Sequence, residues 1–229
     1  MAVSSPPGKS PPAYALVNAL SVEAAAHIES AMEAVPIDEY LADGTRAKAI
    51  SRVEVHDAGV VVGPHAPLFQ SAAYNPIHGD LVREYAPIAR DLLELLEPAR
   101  RSFSEVLGLA PDNEILVQTQ RIRAIAGPDG LRGSPAVEGW HQDGVDYIGV
   151  AVVSRVGITG ATTYLATNSH GEAPVVAEVL HPGQMIVFSD RDYWHYTTDI
   201  HAQDVEAAAY RDVILLAYPS AREDLELAA

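Results

Sequence analysis

His141-Gln142-Asp143-Gly144-Val145-Asp146-Tyr147-Ile148-Gly149-Val150-Ala151-Val152-Val153 is the stretch on which the fold turns. It is dense in Val, Ile and Tyr, the residues that fit a pleated and largely buried surface, and it reads as a β-strand. Shorter runs of the same kind surround it, at 115–125, 159–166, 178–180, 184–188 and 213–218. Gly127-Pro128, Gly130, Gly157, Asn168, Gly171 and Pro182-Gly183 separate them as turn signals. Many short strands punctuated in this way predict a β-sandwich or barrel.

Upstream the texture is different. Residues 14–34 are Ala-rich with Leu, Val and Ile at helical spacing, and Ser21 can cap a helix inside that stretch. Residues 52–62 read as a strand stopped by Gly63-Pro64, and 79–107 as helical, divided by Pro87 and Pro98 and ended by Gly108. The fold class expected is α+β: a β-rich core at 111–220 with a helical N-terminal part, 14–110, packed outside it. With no internal repeat and no linker, 14–229 reads as a single domain behind a disordered leader, 1–13.

Composition narrows the chemistry. The 229 residues hold 15 Lys plus Arg against 31 Asp plus Glu, a net charge of −16. Such a chain repels phosphate backbones, so nucleic acid is not the expected partner. There is no cysteine, which excludes disulfides, thiolate metal sites and cysteine nucleophiles. No apolar run is long enough for a membrane helix and no secretory signal is evident, so a cytoplasmic location is expected.

On a strand, residues i and i+2 project from the same face, so His141 and Asp143 would offer a nitrogen and an oxygen ligand side by side. A His-x-Asp pair alone occurs by chance in many proteins. His195 supplies a third ligand, and two His with one carboxylate make the facial triad of non-haem Fe(II) oxygenases. His170, His181 and His201 are its rivals, the first two in turns and the last in a polar stretch. Arg211 opens the apolar run 213–218, and an Arg entering a core strand wants a buried anion. A salt bridge to Asp190 or Asp192 is the alternative.

The order His-x-Asp, a distant His, then Arg on the next strand resembles the Fe(II)/2-oxoglutarate-dependent dioxygenases. More narrowly, Phe69-Gln70-Ser71-Ala72-Ala73-Tyr74-Asn75-Pro76, Arg83-Glu84-Tyr85 and Glu138-Gly139-Trp140-His141-Gln142-Asp143-Gly144 are similar to the 2OG-Fe dioxygenases that include L-isoleucine 4-hydroxylase and related free amino-acid hydroxylases. The resemblance implies a double-stranded β-helix (jelly roll), iron on His141, Asp143 and His195, and 2-oxoglutarate paired with Arg211, with O2 as co-substrate. It implies hydroxylation of a small molecule, most specifically the side chain of a free aliphatic L-amino acid. Cyclisation or desaturation, or a cupin-type metalloenzyme that does not use 2-oxoglutarate, are the alternative enzymes, and a binding module without chemistry is the other. Asp143 argues against halogenation, where a small residue leaves room for halide.

Many relatives carry a Ser or Thr two residues after the Arg to bind the same carboxylate. Val213 stands there, so Tyr164 or Thr163 is the replacement expected. Candidate substrate residues are Glu138 for an ammonium and Tyr147 for the wall. On the strand 115–125, Arg121 and Arg123 share one face and Gln118 and Gln120 the other. Either face can line a pocket or face solvent. Trp140 alternates with the ligands and is expected to pack.

Overall fold

The computed structural model describes residues 11–56, 59–75, 77, 79–110, 112–127 and 130–219. Most of the expected leader, 1–10, lies outside these residues, as do 111 and 220, the limits expected for the β-rich core. In chain order the elements begin with β1 (Tyr14–Asn18), α1 (Val22–Ala31), β2 (Arg46–His56), β3 (Gly59–Val62), α2 (Arg90–Leu95) and α3 (Glu97–Leu107). β4 (Ile115–Arg123), β5 (Ile125–Gly127), β6 (Gly130–Gly133), β7 (Tyr147–Val156), β8 (Ile158–Gly160) and β9 (Thr163–Ala166) follow. β10 (Val176–Glu178), β11 (Gln184–Ser189), β12 (Trp194–Thr197), β13 (Ile200–Ala202) and β14 (Tyr210–Tyr218) complete the chain.

The strands form three antiparallel sheets. The large one has the order β1-β11-β7-β14-β4-β2-β3, and the smaller ones are β10-β9-β12 and β5-β6-β13-β8. With the helices, this is the α+β jelly roll expected. The centre of the large sheet is buried on both faces, which explains why β7 and β14 are apolar almost without interruption. On β14, Ile214 and Leu216 pack with Ile28, Met32, Leu92, Leu96 and Phe103 of the helices. Val213 and Ala217 face the barrel interior with Ile148, Val150, Leu165, Ile186 and Phe188. Alternation by two therefore sorts each strand between a helix-side core and an interior core.

Three expectations change. Residues 14–34 are not continuously helical: β1 pairs along the edge of β11, from Tyr14 opposite Phe188 to Asn18 opposite Gln184. Sheet pairing overrides the helical composition there. Ser21 accepts a hydrogen bond from the Ala24 amide at 3.1 Å and starts α1. Residues 52–62 hold the end of the longer strand β2 and its hairpin partner β3. Residues 79–89 are not helical, and the helices begin only at Arg90, beyond Pro87. Pro98 sits in the first turn of α3, where a missing N–H costs nothing, and Gly108 closes that helix in the left-handed conformation at φ 66°. The N-terminal part thus contributes three strands to the large sheet instead of being a helical half.

Candidate functional site

The fold places His141 and His195 opposite each other. The His141 amide donates to the His195 carbonyl at 3.1 Å and the His195 amide to the His141 carbonyl at 2.9 Å. His195 belongs to β12, whereas His141 makes this one bridge and then leaves the ladder. The regular strand begins only at Tyr147, so the ligand pair does not sit on β7 as expected. Gly144, at φ 83°, turns the chain between them, with the Tyr74 ring so close that a β-carbon would meet it at 2.7 Å.

The turn still brings the three side chains together. His141 Nε2 lies 3.7 Å from Asp143 Oδ1, and His195 Nε2 lies 3.9 Å from Asp143 Oδ2. One ligand atom from each of the three residues falls within 4.8 Å of the others. His141 Nδ1 donates to the Gly139 carbonyl at 2.8 Å, which fixes the tautomer and leaves Nε2 free to ligate. Burial, and after it the neighbouring His141, holds His195 well below the usual imidazole range, so it is a neutral nitrogen donor. His170, His181 and His201 are all exposed on the surface.

Asp190 stands behind this cluster. It accepts hydrogen bonds from the amides of Asp143, Gly144 and Val145, at 3.1, 2.8 and 3.1 Å. Its Oδ1 lies 3.6 Å from His195 Nδ1. That separation is beyond hydrogen-bond reach and His195 Nδ1 is buried with no hydrogen-bond partner, so Asp190 is bonded to the turn that carries Asp143 and only adjoins His195. Asp190 is therefore not the partner of Arg211.

The triad opens into a cavity lined by residues of β14, β4 and β2 and by the segments around Gln70, Arg83 and Glu138. Arg211 lines it, is 2% exposed, and has Nε and Nη2 both buried without a hydrogen-bond partner. Burial and then the charge of Arg155 lower its pKa to about 9. A buried guanidinium with open donors fits a carboxylate, and the distal carboxylate of 2-oxoglutarate has that chemistry. The two His nitrogens and one carboxylate fit Fe(II).

The remaining expected residues divide. Gln120 and Glu138 line the cavity, and Glu138 accepts from Asn75 Nδ2 at 3.3 Å. Arg121 does not: it faces the helix side, where Asp212 holds Nε at 2.7 Å and Nη2 at 2.7 Å, and Glu33 and the Glu29 carbonyl complete its shell. Arg123 shares that outward face, and the glutamine face of β4 is the one that meets the cavity. Tyr147 packs against the helix-side core. Tyr164 stacks on the outside of its sheet, 6.1 Å from Trp140, which itself packs as expected. Thr163 is buried and reaches Thr197 Oγ1 at 3.4 Å, but Thr197 is the hydroxyl that lines the cavity. Lys48, Gln70 and Arg83 also line the cavity; Gln70 and Arg83 entered the sequence reading only within the stretches that carry the resemblance, with no role in the site, and Lys48 not at all. The one signal for Lys48 was the alternation Arg46-Ala47-Lys48-Ala49, two cations on one face of a strand with alanines on the other.

The 2OG-Fe dioxygenase family profile matches residues 29–217, most of the chain and every residue of the triad. The chain belongs to the 2OG-Fe dioxygenase family. Membership of the 2OG-Fe dioxygenases brings Fe(II) and 2-oxoglutarate as cofactors and O2 as co-substrate. No curated protein matches the sequence significantly. Among solved structures, a bsmA homolog from Methylobium petroleophilum PM1 is similar at TM-score 0.75 and 22% identity, over 91% of this chain and 88% of that one. IDO from Bacillus thuringiensis gives 0.67 and 14%, over 90% and 92%. The Fe(II)/α-ketoglutarate-dependent dioxygenase TqaL gives 0.58 and 13%, over 90% and 81%. At these identities the likeness bears on the fold, and it places this dioxygenase among jelly rolls of the same design.

Proposed function

We propose that this 2OG-Fe dioxygenase hydroxylates a small molecule, the side chain of a free aliphatic L-amino acid, within one domain spanning 14–229. The observation that carries the reading is Arg211, a buried guanidinium with open donors in the same cavity as His141, Asp143 and His195. In this reading the three side chains hold Fe(II), and Arg211 receives the distal carboxylate of 2-oxoglutarate with Thr197 as the neighbouring hydroxyl. Bound together, the metal and 2-oxoglutarate supply the oxidation: 2-oxoglutarate, O2 and a C–H bond give succinate, CO2 and an alcohol.

The chain's own residues orient and shield. His141 Nδ1 is tied to a backbone carbonyl, and Gln70 Nε2 donates to Asp143 Oδ1 at 3.2 Å, so the carboxylate is held with Oδ1 toward His141 and Oδ2 toward His195. Ile148, Val150, Val213 and Leu215 line the cavity beside these polar groups and keep that wall dry. Glu138 offers the counter-charge for a substrate ammonium.

Protein reconstituted with Fe(II) and 2-oxoglutarate without oxygen, then exposed to air with the common L-amino acids, should release succinate in step with a product heavier by one oxygen atom. Arg211→Gln should weaken 2-oxoglutarate binding by about 10–100-fold, the worth of a lost charge-assisted hydrogen-bond pair. Unchanged 2-oxoglutarate affinity in that variant would sink the assignment of Arg211 and return the cupin-type alternative.

A further inference from the structure

Strand register lays out the cavity floor in rows. Arg211 of β14 lies opposite Ile122 of β4, which lies opposite Arg46 of β2. In the next row stand Val213, Gln120 and Lys48. Neighbouring strands are about 4.8 Å apart, so the β2 cations lie about 10 Å from Arg211 at the backbone, too far to share one small carboxylate with it by default. Arg46 is already engaged, with Nε 2.7 Å from Asp38 Oδ2.

Lys48 and Arg83 are not engaged in this way. They are 6% and 1% exposed, both line the cavity, and neither has an ion-pair partner among the described residues. Lys48 Nζ rests 4.5 Å over the Tyr85 ring, and the Arg83 guanidinium lies 5.9 Å from the same ring. Arg83 Nη2 donates to the neutral Gln70 amide and Nη1 to Tyr85 Oη at 3.5 Å, while Nε is buried with no partner. The chain has 31 acidic residues for 15 Lys plus Arg, and Glu138 and Asp143 line the same cavity, yet among the described residues no carboxylate comes within ion-pair distance of Lys48 or Arg83. Two desolvated cations side by side are costly unless an anion arrives from outside. The Arg83 partner Gln70 is also the residue that donates to Asp143, so an anion held here sits one side chain from the metal ligand.

We propose that Lys48 and Arg83 form the seat for a carboxylate of the organic substrate, separate from the Arg211 seat. This rests on the reading of Arg211 above and deepens it: the substrate is an organic acid, and these two cations select it. A carboxylate bridging Lys48 and Arg83 presents its attached carbon chain to the space between Gln70 and the triad, next to Glu138.

The test is calorimetric binding, without turnover, to protein loaded anaerobically with Fe(II) and 2-oxoglutarate. The probes are the common L-amino acids, short aliphatic carboxylates, and the matched carboxamide of each compound that binds. A carboxylate probe should bind, with its carboxamide weaker by about tenfold or more, the worth of one charge-assisted hydrogen bond. Lys48→Met and Arg83→Gln should each weaken the carboxylate by about the same factor and leave 2-oxoglutarate binding unchanged. Lys48→Met decides the matter should the Arg83 variant fail to fold. Three results overturn the proposal: no probe binds, carboxylate and carboxamide bind equally, or the variants lose 2-oxoglutarate instead of the probe. Arg211→Gln is the separate control. If it leaves 2-oxoglutarate affinity intact, the reading of Arg211 fails whatever the two variants at this seat do.

Discussion

Lys48 shows what the fold asks of a single residue. Burial first, then the charges of Arg46 and Arg83, lower its pKa from 10.5 to about 7, against smaller opposing effects of Asp38 and Asp143. Tyr85 packs on it as a neutral ring. In the folded, ligand-free protein Lys48 loses its proton near pH 7, whereas in the unfolded chain it keeps it to about 10.5. Between these values the unfolded state binds more protons, so the contribution of Lys48 makes the protein more stable as pH rises. Denaturant unfolding of wild type and Lys48→Met at several pH values should show wild type gaining on the variant through this window. A constant gap would contradict it. Arg121 is the opposite case, a buried cation matched by Asp212 and, from the surface, by Glu33. Asp212→Ala should cost about 3 kcal/mol in urea unfolding, the low end for a broken buried pair, because only the exposed Glu33 is left to it. This pair was illegible in the sequence: both faces of β4 carry polar residues, and alternation says which residues share a face without saying which face meets the cavity.

At the scale of elements, the site depends on Asp190, which holds the turn at 143–145 through three backbone amides beside the strand β12. Asp190→Asn should lower Fe(II) affinity by about 10–100-fold with the circular dichroism spectrum unchanged, the usual effect of removing a group that orients ligands. Equal affinity would mean that the backbone alone holds the triad. The triad itself was legible because its residue types are rare in combination, although the geometric reason differs from the one spacing suggests. The i, i+2 rule pairs His141 with Asp143 on a strand, but the structure holds them on irregular chain, where His141 makes one bridge to His195 and Gly144 turns the chain before β7 begins. The short strands β5, β6, β12 and β13 left little trace, since three or four residues carry too little pattern to register. β1 was masked by alanines that suit a helix equally well. Its strand state is decided by β11, far away in sequence.

At the scale of the molecule, the large sheet is a shared wall, with helices on one side and the catalytic cavity on the other. Gly149 marks how tightly the helix side is fitted: a β-carbon there would meet the Phe103 ring at 2.7 Å and Leu216 at 3.4 Å. Gly149→Val should therefore cost about 1–3 kcal/mol through overpacking. Each kcal/mol should lower Tm by about 2–4 °C for a chain of this size, measurable by calorimetry. No change would show that α3 can shift away.

The outermost strand on one side of that wall is β1, five residues joined to β11 through five paired positions. Deleting the chain up to Asn18 would strip a bonded neighbour from β11 and leave its backbone amides and carbonyls unsatisfied along an apolar run. Such a bare border recruits other chains. N-terminal trimming, ordinarily a harmless convenience in protein preparation, is here a route to fibrils or clumps, and light scattering of the shortened protein would register them before any enzyme assay did.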